Sequence, residues 1–584
     1  MRPIVDPRQG DIEDDASSTK QRSLFSLAGT LLAEVSLPKL ALAGILLVGL
    51  PGLLIGAAPL VTSIWIAGVS SKASALLTGL WPAVLLSALV VLGWLGGRPL
   101  LRLAESNFWS LNALTVQPSY VLFREAFRHI AERLFPSDMN DDRHAFTRAA
   151  SAAVSGVVIC GLALWLVALA WPSTRWFGNL SDLASPHRLA VPALFNSAVI
   201  IAGYLAVAAL IWGTADATMA QPRDCKSFQA APVAGRAWRV AHLSDIHVVG
   251  ERYGFRIESG RSGPRGNDKF KRTLAQLERI HAENPLDAIL ITGDVTDAGR
   301  SAEWAEFFDA LAPYPQLSEL LLFLPGNHDL NVMDRANPAR LDLPTSPRKR
   351  LCQIRTISAL EALQGSRVRL VNSRTGRLGA SLSDALKPHL DDIAAFADQG
   401  SFRLSRSLAE LWATSFPMVQ TPKTENGLGI ILLNSNVEAH FSFTNALGLV
   451  STEQARAIDI IAGLYPQAYW IVALHHHVVE YPKRAKALSE RIGTALINGS
   501  WFVRRLRRFA DRAVVMHGHR HVDWIGECGG LSIVSAPSPV MEVTDECDTY
   551  FYVHTLAIAG DGRLRLMKPE RIGVAGQQVA ETRQ

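Results

Sequence analysis

Cysteine is scarce: five in 584 residues (Cys160, Cys225, Cys352, Cys528 and Cys547), an odd number with no C-x-x-C pair. That excludes a disulfide framework and a thiolate metal site, and it suits a reducing compartment. Charge is sparse as well, at 19% of residues, and Lys+Arg 58 against Asp+Glu 53 leaves only +5. Without a dense basic block, nucleic acid is not an expected partner. There is no repeat of fixed period and no low-complexity tract, and 48% hydrophobic residues exclude a disordered chain. The length calls for two or more folding units.

Four long runs lack any charged residue: 40–71, 73–97, 149–174 and 189–215. About 20 mostly apolar residues cross the hydrocarbon of a bilayer. The sequence therefore predicts four transmembrane helices at about 40–66, 75–97, 149–171 and 190–213, within a membrane region spanning 39–215. Pro51 and Pro59 predict a kinked or tilted first span. Residues 1–38 are polar, with no basic segment leading into a short apolar core, so no cleaved signal is expected. Basic residues cluster between the second and third runs (Arg98, Arg102, Arg124, Arg128, Arg133, Arg143, Arg148), which predicts both termini on the cytoplasmic side of an inner or plasma membrane. In that loop Tyr120, Phe123, Phe127, Ile130 and Leu134 recur at helical spacing. The helix they form would lie on anionic headgroups or pack against the soluble domain.

After a linker at 216–236 the texture becomes that of an α/β domain, 237–560, followed by a tail at 561–584. Strands are predicted at 238–243, 286–292, 319–324, 428–434, 469–474, 513–516, 531–536 and 550–557. Phe270, Leu274, Leu277 and Ile280 make one helical stripe, and Ser451 with Gln454 reads as a capping box. Residues 330–427 show weak periodicity and read as a lid or insertion.

Thirteen of the sixteen histidines lie after residue 240, mostly just past predicted strands. Ser244-Asp245-Ile246-His247 follows the first strand, and alternation along an extended segment would point Asp245 and His247 the same way. Gly293-Asp294-Val295-Thr296-Asp297 offers a carboxylate able to bridge two cations. Pro325-Gly326-Asn327-His328-Asp329 sets an oxygen donor beside an imidazole and a carboxylate, and His475-His476-His477 and His517-Gly518-His519-Arg520-His521 follow two later strands. Each piece alone is commonplace, since turn aspartates and buried histidines are frequent. Five in order at strand ends are not.

The motifs D-x-H, G-D, G-N-H-D, H and G-H-x-H resemble those of the calcineurin-like metallophosphoesterases over about 237–560. The resemblance implies a four-layer α/β/β/α sandwich, in an α+β or α/β class, here preceded by an all-α membrane region. It also implies that Asp245, His247, Asp294 and His521 hold one metal, and that Asp294, Asn327, His475 and His519 hold a second. His328 would donate a proton to the leaving alkoxide or stabilise charge on the phosphoryl group, with Asp329 orienting its imidazole. Where the family often has His-His-Pro-Pro this chain has His475-His476-His477-Val478, so His476 is an alternative ligand; His475 directly follows the strand. Leu433-Asn434-Ser435 and the phrase around Asp294 look most like class III cyclic-nucleotide phosphodiesterases.

The implied cofactors are two divalent ions, and oxygen plus imidazole donors accept Mn, Fe, Zn, Co or Ni. Two cations let an anionic phosphoester meet a water acidified toward hydroxide. The expected function is a membrane-anchored hydrolase of phosphodiester, phosphomonoester or pyrophosphate bonds, with a lipid-linked or nucleotide substrate. The alternative is a membrane receptor or regulatory protein that binds a phosphorylated ligand with little turnover. A transporter is disfavoured, because the four apolar runs hold no Asp, Glu, Lys, Arg or His in their interiors. Trp501–Arg512, with Arg504, Arg505, Arg507 and Arg508, reads as a solvated amphipathic helix.

Overall fold

The structure is a computed structural model. It describes residues 3–9, 50–76, 116–134, 141–179, 187–225, 236–250, 267–331, 347–372, 375–437, 446–482, 496–541 and 549–574, apart from single positions. The chain divides into a helical unit over 36–219 with 484–493, and an α/β unit formed by 1–35, 220–483 and 494–584.

In the helical unit, Leu50–Leu76, Gln117–Leu134, Asp141–Ala170 and His187–Ala217 are the described helices of more than one turn. Two stretches, Arg143–Ser173 and His187–Ala217, are long and apolar enough to cross a membrane; this is the part of the four-span expectation that the described residues carry. The expected second span, 75–97, falls almost wholly outside the described residues. Small residues let the two long helices approach closely: a Cβ on Gly156 would sit 2.7 Å from the Ala209 carbonyl oxygen and 3.1 Å from Gly213 Cα. The helix Gln117–Leu134 packs within the helical unit. Its Tyr120 and Val121 are buried with Ile159, Ala208 and Ala209 of the long helices. Two of its basic residues are in ion pairs, Arg124 Nη1 with Asp216 at 2.8 Å and Arg128 Nε with Glu132 at 2.8 Å.

The α/β unit contains fifteen described strands: β1 (Arg223–Asp224), β2 (Ala237–Leu243), β3 (Ala288–Ile291), β4 (Leu321–Phe323), β5 (Arg369–Asn372), β6 (Arg377–Ser381), β7 (Met418–Gln420), β8 (Leu428–Leu432), β9 (Tyr469–Ala473), β10 (Ala513–His517), β11 (Trp524–Cys528), β12 (Leu531–Ser535), β13 (Tyr550–Ile558), β14 (Leu564–Leu566) and β15 (Glu570–Gly573). One sheet runs β1-β11-β12-β10-β9-β8-β7-β5-β6; the other runs β14-β13-β2-β3-β4, with β15 also on β13. Parallel pairing joins β2-β3-β4 and β8-β9-β10-β12. Their strands are buried along nearly their whole length, which is why they read as short apolar runs without alternation. Both sheets and the helices between them share one hydrophobic core, from Val240 and Ile289 to Ile471 and Val514. The mixed sheets agree with the expected fold class.

The eight predicted strands correspond to β2, β3, β4, β8, β9, β10, β12 and β13. The stripe Phe270, Leu274, Leu277 and Ile280 is the buried face of Asp268–Glu283, and Ser451 accepts the Gln454 amide at the start of Thr452–Leu464. Of the segment 330–427, expected to be a lid or insertion, the described residues of 347–420 pack into the domain. The helix Pro347–Gln364 places Leu351, Ile354, Ile357 and Leu360 in the core, and β5, β6 and β7 extend the nine-stranded sheet. That helix is buried on most sides, so no amphipathic period marks it. The folded unit also runs past both expected ends: β1 lies in the supposed linker, and β14 and β15 lie in the supposed tail.

Candidate metal centre

The parallel strands deliver their C-terminal loops to one place, where main-chain hydrogen bonds stitch them together. Asp245 N donates to Gly293 O at 3.0 Å, His247 N to Asp294 O at 3.0 Å, and Gly518 N to His475 O at 3.1 Å. Close backbone approach requires glycine at two points. A Cβ on Gly326 would overlap Asp294, and one on Gly518 would overlap Ser244. Among the described residues, the non-glycine positions with positive φ are Asp245 (55°), His247 (47°), Asp294 (50°), His519 (77°) and His521 (52°). A left-handed residue other than glycine costs of order 1–2 kcal/mol and persists only where surrounding structure enforces it.

Two groups of donors result. In the first, His521 Nε2 lies 3.3 Å from Asp245 Oδ1 and 3.3 Å from His247 Nε2. In the second, His475 Nε2 lies 3.0 Å from Asn327 Oδ1, 3.1 Å from His519 Nδ1 and 3.3 Å from Asp294 Oδ2. Asp294 Oδ2 also stands 3.9 Å from His247 Nε2, so one carboxylate oxygen faces both groups. The structure thus brings Asp245, His247, Asp294, Asn327, His475, His519 and His521 together. His475 Nδ1 donates to the Thr292 carbonyl at 2.8 Å, which orients the ring so that Nε2 faces Asn327 and Asp294. His476 Nδ1 is tied to Ser435 Oγ at 2.8 Å, and its ring lies 4.5 Å from that of His519, centroid to centroid.

The donor set fits cations. Carbonyl, carboxylate and imidazole groups converge at about 3 Å, and buried Asp245 Oδ1 makes no well-formed hydrogen bond, with His521 Nε2 standing 3.3 Å away. Burial would raise the Asp294 carboxyl, but His475 and His328 outweigh it and hold it well below the usual range. For His475, burial opposes the charge, yet Asp294 and then Asp245 push its imidazole up to about 9. His247 drops to about 4, chiefly through burial and then the neighbouring His328.

His328 sits against this cluster, its ring perpendicular to that of His247 with centroids 4.5 Å apart. Its orientation differs from the expected one. Asp329 does not face the imidazole: it accepts the amides of Val295, Thr296 and Gly326 and the Thr296 hydroxyl, fastening two loops together. A carboxylate with four donors already aimed at it has no oxygen left for a ring N–H. Burial and the charge of Asp294 push Asp329 up to about 6. The residue that sequence reasoning passed over is Asp297. Its carbonyl oxygen accepts from His328 Nδ1 at 2.7 Å, and its Oδ1 lies 3.2 Å from His247 Nδ1. The available signal was a second carboxylate in the same turn as Asp294, three residues on. His477 pairs with Glu480, and His517 is buried beside Gly518 O.

Strand-end loops carrying two facing groups of oxygen and imidazole donors define a metal-dependent hydrolase. Residues 239–523 match the calcineurin-like phosphoesterase family, and this part of the chain is a calcineurin-like phosphoesterase domain. It works with two divalent cations whose identity the donors leave open. Similar solved structures include a dimetal phosphatase from Danio rerio (13% identity, 58% of this chain and 99% of that one, TM-score 0.34). A putative 5'-nucleotidase from Staphylococcus aureus (12%, 60% and 56%, 0.29) and a purple acid phosphatase from yellow lupin, Lupinus luteus (13%, 60% and 54%, 0.28), are also similar. The chain aligns with little more than half the length of the last two. No curated protein matches the chain.

Proposed function

We propose that the chain is a membrane-anchored phosphoesterase that hydrolyses phosphodiester, phosphomonoester or pyrophosphate bonds on the cytoplasmic side of the membrane. The observation that carries the catalytic part is Asp294 Oδ2, which stands between the two donor groups at 3.3 Å from His475 and 3.9 Å from His247. Asp245, His247 and His521 would hold one cation, Asn327, His475 and His519 the other, with Asp294 shared. When bound, such a pair of ions lowers the pKa of water and offsets phosphate charge. The remaining work falls to the chain. His328, fixed through Nδ1–H to Asp297 O, presents Nε2 as proton donor to the departing oxygen. Asp329 keeps the turns bearing Asp294 and Asn327 in register.

Anchoring is supported by how little of the long helices is buried. Only 28% and 39% of their most apolar windows are covered, where a soluble core helix would be mostly covered. Trp165, Leu166, Val207 and Ile211 stand exposed, a surface that lipid would cover. Anchorage favours substrates held at the bilayer surface, so lipid-linked phosphoesters are preferred to cyclic nucleotides.

The test is turnover of bis-p-nitrophenyl phosphate by the purified full chain with Mn²⁺. Activity lost to chelation, restored by metal and absent in Asp294→Ala supports the reading. A folded, metal-loaded but inert chain overturns hydrolysis in favour of a receptor.

A further inference from the structure

The α/β unit begins at the chain's N-terminal segment, ahead of every apolar run, and resumes only after residue 219. Residues 3–9 attach to it by several independent contacts. Val5 N donates to Ser358 Oγ at 2.9 Å, 353 residues away, on the helix Pro347–Gln364. Ser301 Oγ, on the first residue of Ser301–Leu311, donates to the Pro7 carbonyl at 2.9 Å. Arg8 grips Asp309 Oδ1 through Nε at 3.0 Å and Nη2 at 2.7 Å. Pro7 is buried, and Ile4 and Val5 pack against the main core of the phosphoesterase domain. Asp6 Oδ1 accepts the Arg8 amide and shapes the single turn Pro7–Gln9.

The other end of the intervening chain is fastened too. Asp224 accepts from Trp524 Nε1 at 2.7 Å, Cys225 N donates to Ile525 O at 3.0 Å, and β1 pairs with β11. The first attachment adjoins the centre in sequence. Ser301 follows the turn Asp297–Arg300, whose amides at Ala298 and Arg300 are held by Glu303, while Arg355 Nη1 donates to Gly299 O.

We infer that residues 3–9 are the first structural piece of the catalytic unit, and that the whole apolar region is an insertion within it. A single folded body cannot lie on both faces of a bilayer. Resting on the anchored reading above, the chain must then cross an even number of times between residues 9 and 220. This goes beyond the basic-residue count, which assigns a side but does not require the two ends of the insertion to meet. It also constrains the helices. Two crossings, by the helices Asp141–Ala170 and His187–Ala217, satisfy parity. If Leu50–Leu76 crosses as well, a fourth crossing is required, and the uncharged run 73–97 is the remaining sequence long enough.

The experiment uses the full chain with one epitope before Met1 and another after Gln584, in sealed vesicles of each orientation. Both epitopes are expected to be digested in the same vesicle population and protected in the other; digestion in opposite populations overturns the inference. Amide exchange on the detergent-solubilised full chain tests the docking without reference to a bilayer. The peptide containing Val5 is expected to exchange at least about ten-fold slower than an unstructured peptide, consistent with a hydrogen-bonded, packed segment. Ile4→Asp with Arg8→Asp is expected to abolish that protection. Exchange at the unstructured rate in the unmodified chain overturns the inference. A chain that fails to sediment with membranes defeats the anchored reading alone, and the exchange result then decides whether the segment belongs to the catalytic unit.

Discussion

His328 and Glu303 make different demands on a proton, and each can be probed by one substitution. If His328 Nε2 protonates the leaving oxygen, His328→Gln should slow hydrolysis of an alkyl phosphodiester by about 10²–10⁴-fold, the range of a positioned general acid. The loss should be much smaller for p-nitrophenyl esters, whose leaving group departs without a proton. Equal losses on both substrates would remove the proton-donor role. Glu303 is buried, and its Oε2 accepts the Ala298 and Arg300 amides while Oε1 has no partner. Burial, and then the charge of Asp297, push its carboxyl up to about 8 from 4.5. The folded state therefore holds a proton that the unfolded chain has released across that interval. Stability is unpenalised below about 4.5 and declines as pH rises toward 8, by at most about 1.4 kcal/mol per pH unit. Glu303→Gln keeps an acceptor for both amides and cannot ionise. Its Tm should thus gain on the parent as pH is raised from 5 to 8, and parallel Tm curves would contradict the assignment.

At the scale of elements, the sequence disclosed the strands that are buried along nearly their whole length, and it concealed the mostly buried helix Pro347–Gln364 and what depends on partners far away. The strands β2, β3, β9 and β10 are short continuous apolar runs, legible because parallel strands bury both faces. The strands β5 and β6 carry mixed burial at one end of the sheet, β7 is only three residues long, and β1 is two exposed residues, so neither period nor composition marks them. The metal donors were legible as residue types at strand ends. What was hidden is the geometry that aims them: left-handed backbone at five proposed ligands, the Thr292 carbonyl that orients His475, and the turn of His328 toward Asp297 rather than Asp329. Each depends on a contact across the fold. Gly518 links the two levels, because a Cβ there would meet Ser244 Oγ and lie 2.7 Å from Asp245 Oδ2. Gly518→Ala should weaken Mn²⁺ binding at least about ten-fold, as loss of support around a ligand typically does, with the far-UV circular dichroism unchanged. Unaltered metal affinity would show that the loop relaxes freely.

For the whole molecule, the proposed anchoring would alter the kinetics a soluble phosphoesterase shows. A catalytic unit tied to a bilayer meets lipid-linked substrate at a surface density, whereas it meets a water-soluble ester at its bulk concentration, so attachment acts as an effective concentration rather than as a new contact. On the proposed anchored reading, alkaline extraction should leave the full chain in the membrane pellet. Reconstituted into vesicles, the chain should hydrolyse a bilayer-embedded phosphoester faster than the same chain in detergent with substrate dispersed in separate micelles. The rate on bis-p-nitrophenyl phosphate should be equal in both settings, because that substrate reaches the centre through water. Comparing the two ratios isolates anchorage from chemistry. A lipid-linked ratio that does not exceed the soluble one would leave the dinuclear hydrolase standing and withdraw the surface-substrate reading.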